Sequence, residues 1–131
     1  MNHYSPFKGS TGLKRIINAT SYSLSGFKAA FFNEAAFRQI TFLNVVLIPS
    51  SFLLDVSRVE QALMIAVCLL ALIVELFNSA IEAVVDRISL EKHALSKNAK
   101  DMAAGAVLFI SLYAVIVGLL ILKTKIWALI F

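Results

Sequence analysis

A stretch of 21 residues without a charged side chain, residues 102–122, constrains this sequence more than any other feature. A helix that crosses a bilayer needs about 20 consecutive apolar residues. The composition agrees, because 60% of the 131 residues are hydrophobic and 15% are charged, against about 45–50% and about 25% in soluble domains. The sequence therefore predicts an integral membrane protein whose length leaves no room for a separate soluble catalytic domain.

Two further stretches are long and apolar enough to suggest membrane crossing. The predicted spans cover about residues 36–55, 60–86 and 102–123. Pro49 lies near the end of the first span, and proline there predicts a kink or an early end of the helix. Three crossings are therefore expected within a single membrane-embedded domain.

The segment before the first span has a different pattern. In residues 13–32 the apolar side chains recur at helical spacing, with Lys14, Arg15 and Lys28 between them. This pattern predicts a basic amphipathic helix on the membrane surface; the alternative is a helix packed against other protein. The expected fold class is all-α, with three transmembrane helices and an N-terminal surface helix.

The lysines and arginines predict the orientation. Nine of the 12 lie in the N-terminal segment or in the loop expected at residues 86–101, and the others are Arg58, Lys123 and Lys125. The positive-inside rule then places the N-terminus and this loop in the cytoplasm and the C-terminus outside. The net charge of +4 suits an anionic membrane surface or an anionic cytoplasmic substrate. A nucleic-acid partner is not expected, since no basic patch is interleaved with a folded soluble module.

Polar side chains form a stripe within the second span. Glu75, Asn78, Ser79 and Glu82 share one helical face, and Asp86 continues it one turn on. An ionised carboxylate at the centre of a span costs about 2.5–3.5 kcal/mol, so it is rarely kept for packing alone. These oxygens suit Mg²⁺ or a base that takes a proton from a hydroxyl group. The alternative is a polar stripe that holds helices together.

Two charged residues lie at the predicted cytoplasmic surface. Glu34 precedes the first span at the level of Glu82, and one carboxylate from each of two helices would form a cradle for a metal ion. The alternative is an ordinary i,i+4 ion pair between Glu34 and Arg38. Lys100 precedes the last span, where a lysine neutralises a phosphate or anchors the helix. The sequence contains neither a P-loop motif nor the glycine-rich motif of protein kinases.

Three segments resemble the prokaryotic diacylglycerol kinase family: residues 33–39 (NEAAFRQ), 75–87 (ELFNSAIEAVVDR) and 99–104 (AKDMAA). The resemblance extends over roughly residues 13–122. It implies a homotrimer in the bacterial inner membrane that transfers the γ-phosphate of ATP to diacylglycerol with Mg²⁺, in sites shared between subunits. An undecaprenol kinase of the same fold and a non-enzymatic small membrane subunit are the alternatives.

The resemblance also implies roles for individual residues. Glu75 would be the general base, and Glu34 and Glu82 would hold Mg²⁺. The implied contacts with ATP are Arg15, Tyr22, Glu34, Glu82, Glu91, Lys92, His93, Lys100 and Asp101. The implied contacts with the lipid substrate are Arg15, Ala19, Thr20, Ser21, Tyr22, Ser23, Leu24, Lys28, Ala29, Ala30, Phe31, Ala36, Phe37, Arg38, Gln39, Ile40, Glu75 and Ala104. The remaining polar positions of the site are Asn78, Ser79 and Asp86.

The sequence departs from the family pattern at three positions. The best-known members have a tryptophan where Leu24 stands, an acidic residue at Ile40 and a serine at Ala104. Loss of the aromatic ring weakens an expected interfacial anchor, and the other two changes remove polar groups near the lipid. These departures bear on lipid contacts and turnover rate rather than on the class of reaction.

Overall fold

The computed structural model describes residues 11–131, which form four helices and no strand. The helices are α1 (Gly12–Asn33), α2 (Ala35–Ser51), α3 (Arg58–Ile88) and α4 (Ala94–Ile130). The central helix is α3, which packs most extensively against α4 and then against α2, while α1 contacts α2 and α3. The predicted all-α fold class is therefore confirmed for the part of the chain that the structure describes.

Two of the helices, α3 and α4, are long and apolar enough to cross a membrane. The 17 residues of α2 rise only about 26 Å, less than the roughly 30 Å of a bilayer's hydrocarbon core. Pro49 lies within α2, which ends at Ser51, in agreement with the expected early end. The third crossing stays a prediction.

The connection between α3 and α4 is short. Only residues 89–93 lie outside the two helices, so the interpretation of residues 86–101 as a loop was wrong. The side chain of His93 accepts a hydrogen bond from the backbone N–H two residues later and caps α4. Lys97 then pairs with Asp101 one turn on, which further supports a helix. Charged residues expected on a loop are therefore held on a rigid helix.

Most apolar side chains of α1 are uncovered. Ala30 is its one buried residue, whereas Leu13 and Ile16 are 78% and 63% exposed. The helix begins at Gly12, whose φ of +70° lies in the left-handed region that glycine tolerates. An uncovered apolar stripe on a basic helix is typical of the membrane interface, and it argues against packing of the first half of α1 on the rest of this chain.

A buried polar side chain links α2 to α3. Asn44 is 5% exposed, and its Nδ2 donates a hydrogen bond of 2.7 Å to the backbone carbonyl of Cys68. At the start of α3, Ser57 and Glu60 form a reciprocal capping box. These contacts fix where α3 begins and how it is aligned with α2. They thereby fix how far along the helix axes the acidic residues of the two helices lie from each other.

Candidate active site

Glu75 is the one buried carboxylate between residues 11 and 131, with 2% of its surface exposed. The side chain of Asn78, one turn further along α3, interacts with it. Asn78 Oδ1 and Ser79 Oγ are also buried, and neither has a hydrogen-bond partner within the described chain. Because buried polar atoms are normally paired, this part of α3 is suited to a ligand, a water molecule or a group from another subunit.

Two further carboxylates lie in the same region. The charges of Glu82 and Glu34 both act on Glu75, and both side chains are half-buried. The ion pairs found between residues 11 and 131 involve other acids. Glu34 and Glu82 therefore have carboxylate oxygens free of a basic partner there, and such oxygens are the ligands that a hard divalent cation prefers.

These carboxylates do not form a complete metal site by themselves. No group of three or more acidic, histidine or cysteine side chains within residues 11–131 approaches closely enough to hold a metal ion. Mg²⁺ commonly binds through one or two carboxylates together with substrate phosphates and water. Glu34 and Glu82 fit that mode of binding, in which most ligands come from outside the protein.

Glu34 occupies the one-residue break between α1 and α2. Its backbone is extended, its N–H donates to the carbonyl of Ala30 at 2.8 Å, and its own carbonyl accepts from Arg38 N–H at 3.2 Å. The guanidinium of Arg38 donates to the carbonyls of Phe31 and Phe32, at 2.9 and 3.2 Å. The alternative of a Glu34–Arg38 ion pair is therefore wrong, because the Arg38 side chain donates instead to the backbone carbonyls at the end of α1.

A cleft of about 730 Å³ opens where α3 is joined to α4. Among the residues that line it are Asp86, Glu91, Lys92, His93, Lys100 and Asp101. The structure thus brings together five of the residues predicted to contact ATP, from the connecting segment and the first turns of α4. Both acidic and basic side chains border the cleft. It opens at the same end of the helices as Glu82.

Lys100 connects this cleft to the carboxylates of α3. Its Nζ donates a hydrogen bond of 2.6 Å to Asp86 Oδ1, and this bond raises the pKa of Lys100 above its ordinary value. The charge of Glu82 also acts on Lys100. Asp86, expected to extend the stripe of oxygen ligands, is thus paired with Lys100 and holds a charged ammonium group at the cleft.

Arg15 and Tyr22 are not brought to this cleft. Both are exposed on the first half of α1, and neither lines the cleft. The contacts of α1 are with α2 and α3, not with α4. Within a single chain, these two predicted ATP contacts are therefore separated from the five that line the cleft.

A second, apolar cavity of about 420 Å³ lies between α1, α2 and α3. Its lining residues are Phe27, Lys28, Phe31, Phe32, Phe37, Thr41 and Leu72. Lys28, Phe31 and Phe37 were predicted as lipid contacts. The cavity is thus the place in this chain where an acyl chain could lie beside the predicted surface helix.

Four lining residues of this cavity were missed from the sequence: Phe27, Phe32, Thr41 and Leu72. Two of them could have been found, because Phe27 is four residues before Phe31 and Thr41 is four residues after Phe37, which puts each pair on one helical face. The other predicted lipid contacts that lie on the exposed surface are Ala19, Thr20, Ser21, Tyr22, Ser23, Leu24, Ala29, Ala36, Gln39 and Ala104.

The family model of prokaryotic diacylglycerol kinase matches residues 21–122, which is well over half of the chain. This chain belongs to the prokaryotic diacylglycerol kinase family. The membership predicted from the three sequence segments is therefore confirmed, and with it the prediction that the chain is an enzyme. The matched range includes every carboxylate of the candidate site.

Relatives of this family member align over most of their length. It is 78% identical over 102 residues to the diacylglycerol kinase of Pseudomonas aeruginosa, with 78% of this chain and 83% of that protein covered. The identity to the diacylglycerol kinase of Haemophilus influenzae is 52% over 102 residues, with 78% and 86% covered. For the diacylglycerol kinase of Escherichia coli K12 it is 47% over 112 residues, with 86% and 92% covered.

Proposed function

We propose that this protein transfers the γ-phosphate of ATP to the primary hydroxyl group of diacylglycerol, which yields phosphatidic acid and ADP. The observation that carries the proposal is the burial of Glu75, 2% exposed, within an apolar helix of a chain 78% identical to a diacylglycerol kinase. A carboxylate is costly at such a position and is therefore retained for chemistry rather than for packing.

Glu75 would act as the general base. Its carboxylate accepts the proton of the lipid hydroxyl as the hydroxyl oxygen bonds to the γ-phosphorus, and the bond from that phosphorus to the bridging oxygen of ADP breaks. Asn78 interacts with the Glu75 side chain and would orient it. The diacylglycerol need not leave the bilayer, because the base lies about 10 Å deeper along α3 than Glu82, at 1.5 Å per residue.

Glu34 and Glu82 would hold Mg²⁺ together with the phosphates of ATP. Both are half-buried and share the region of Glu75. When bound, the cation neutralises charge on the phosphates, which is the main requirement of phosphoryl transfer. The protein's part is to hold the two carboxylates at a fixed spacing, one at the start of α2 and the other on α3.

The cleft at the α3–α4 connection would bind the nucleotide. Lys100 presents a charged ammonium group there, which the hydrogen bond with Asp86 holds in place. A lysine binds phosphate as a point charge, so Lys100 would contact the phosphate chain. Glu91, Lys92 and His93, also on the cleft wall, would lie nearer the adenosine.

A homotrimer would complete the site. Arg15 and Tyr22 are separated from the cleft of their own chain, so a neighbouring subunit is needed to bring them to the nucleotide. Apolar side chains of α4 such as Phe109, 76% exposed, offer surface to lipid or to another subunit. We place the trimer in the bacterial inner membrane, with the N-terminus and the cleft in the cytoplasm and the C-terminus outside.

The proposal is tested with purified full-length protein in mixed micelles supplied with Mg-ATP. Either diacylglycerol or undecaprenol is added, and the phosphorylated lipid is measured. Product from diacylglycerol is expected. A preference for undecaprenol would overturn the proposed substrate, and absence of product with both lipids would overturn the proposed activity.

Glu75→Gln tests the base, with Glu60→Gln as a matched control on the same helix. Glutamine serves as well as glutamate in a capping box, so Glu60→Gln should retain activity. Glu75→Gln should lower kcat by about 10²–10⁴-fold, the usual contribution of general acid–base catalysis, while ATP binding measured by calorimetry is retained. Equal activity of the two variants would exclude Glu75 as the base.

A further inference from the structure

The last turns of α4 form a cleft at the end of the bundle opposite the candidate active site. The family model ends at residue 122, but α4 continues unbroken to Ile130. Beyond residue 122, α4 passes the segment that joins α2 to α3, and a cleft of about 610 Å³ lies between them. Lys125, Ala128 and Leu129, beyond the family match, form part of its wall.

This outer cleft, as we name it, carries one charge of each sign. Asp55 lines it from the α2–α3 connection and Lys125 lines it from α4. The two are not paired with each other, since the ion pairs between residues 11 and 131 lie at the other end of the bundle. The rest of the wall is mainly apolar and includes Leu54, Met64 and Ile121.

An aromatic pair indicates the depth at which the outer cleft lies. The rings of Trp127 and Phe131 are in contact, with their centroids 4.5 Å apart and their planes tilted by 35°, on the same final turns of α4. Tryptophan is enriched at the level of the lipid headgroups, and Lys125 and Asp55 would be poorly tolerated any deeper. The charges of the outer cleft therefore lie where the headgroup of a phospholipid would be.

We propose that the outer cleft binds a zwitterionic phospholipid with a primary ammonium headgroup, of the phosphatidylethanolamine type. The phosphate would face Lys125, the ammonium group would donate to the Asp55 carboxylate, and an acyl chain would lie along the apolar wall. An anionic headgroup without an ammonium group pairs with Lys125 and leaves Asp55 without a cationic partner. Diacylglycerol carries neither charge. The outer cleft is thus distinct in chemistry from the substrate site.

Native mass spectrometry of the full-length protein in mild detergent tests this proposal. The protein is titrated with phosphatidylethanolamine or with phosphatidylglycerol of the same acyl chains, and bound lipid is counted per subunit. The wild type should bind phosphatidylethanolamine about fivefold more tightly, the effect of about one favourable headgroup charge contact. Asp55→Asn should reduce this preference to none, and Lys125→Met should weaken the binding of both lipids.

Lys123→Met is the matched control, because Lys123 lies on the same final turns but does not line the outer cleft. It should leave binding of both lipids unchanged. Gly118 lines the outer cleft, and a Cβ at this position would meet no atom within 4 Å. Gly118→Leu should therefore block the binding of both lipids. Circular dichroism should show that α4 remains helical in this variant.

Two results would overturn the proposal. One is equal binding of the two lipids by the wild type, which would indicate ordinary surrounding lipid. The other is an equal loss of binding in Lys123→Met and Lys125→Met, which would indicate a diffuse attraction to positive charge. Lipid binding is measured independently of phosphoryl transfer. A negative binding result would therefore not count against the proposed kinase activity, and a lack of kinase activity would not count against lipid binding in the outer cleft.

Discussion

Replacement of Asn44 by alanine should destabilise the packing of α2 on α3. The Asn44 side chain is 5% exposed and donates a 2.7 Å hydrogen bond to the Cys68 carbonyl. Hydrogen bonds between membrane helices contribute about 0.6 kcal/mol on average and up to about 1.7 kcal/mol. The short distance and burial place this one in the upper part of that range, and the lost side chain also leaves a gap. We expect a loss of about 1–2 kcal/mol, or roughly 5–30-fold in the folded-to-unfolded ratio.

The matched control is Thr41→Ala, one turn earlier on α2. Thr41 donates to the carbonyl of Phe37 within its own helix, so its removal breaks no link between helices. Because alanine is the better helix former, the control should change stability by less than about 0.5 kcal/mol. Unfolding is followed by circular dichroism in micelles with increasing mole fraction of sodium dodecyl sulfate.

Asn44→Leu separates the hydrogen bond from the packing. Leucine branches at the same carbon as asparagine and is somewhat larger, so it fills the gap but cannot donate to Cys68. Apolar burial between helices gains little where lipid is equally apolar. We expect this variant to remain less stable than the wild type. If Asn44→Leu is as stable as the wild type, or if Asn44→Ala is no less stable than Thr41→Ala, the hydrogen bond does not hold α2 on α3.

Three further predictions concern the candidate site. Glu82→Gln should raise the Mg²⁺ concentration needed for half-maximal activity, in titrations at fixed ATP; an unchanged titration would remove it as a ligand. Arg38→Met removes the side-chain donor to the carbonyls at the end of α1, and hydrogen bonds to a charged group contribute about 1.5–3 kcal/mol. The backbone N–H of Glu34 should therefore exchange with deuterium faster in this variant. Equal exchange rates would contradict this role of Arg38. The hydrogen bond with Asp86 raises the pKa of Lys100, so its charge persists as pH rises through the ordinary lysine value. ATP affinity of Asp86→Asn should therefore fall as pH rises through the ordinary lysine value of about 10.4, whereas that of the wild type should fall only at a higher pH.

The helices that carry a strong apolar pattern were predicted well. The predicted surface helix at residues 13–32 corresponds to α1, Gly12–Asn33, and the span at residues 60–86 corresponds to α3, Arg58–Ile88. Residues 13–32 were predicted to be helical from the spacing of their apolar side chains, and residues 60–86 from the length of an apolar stretch. Membership of the family also followed from local motifs, because those motifs need no knowledge of packing.

The errors came from charge and from packing between elements. Lys97 and Asp101 were assigned to a loop because they are charged, although the same spacing stabilises a helix once His93 caps it. The direction of the Arg38 side chain depends on the break after α1, which no local pattern reports. The apolar cavity depends on how three helices meet, so residues such as Leu72 on α3 could not be assigned to it from their own segment.

Glu34 is the single residue between α1 and α2, so the two helices have little freedom to move independently. Hydrogen bonds to Ala30 and from Arg38 continue the backbone network across it on both sides, and Arg38 bridges back to the end of α1. A tilt of α1 would therefore also move the Glu34 side chain. Since α1 also lines the apolar cavity, the wall of that cavity and the carboxylate proposed to bind the cation are joined through the same helix end.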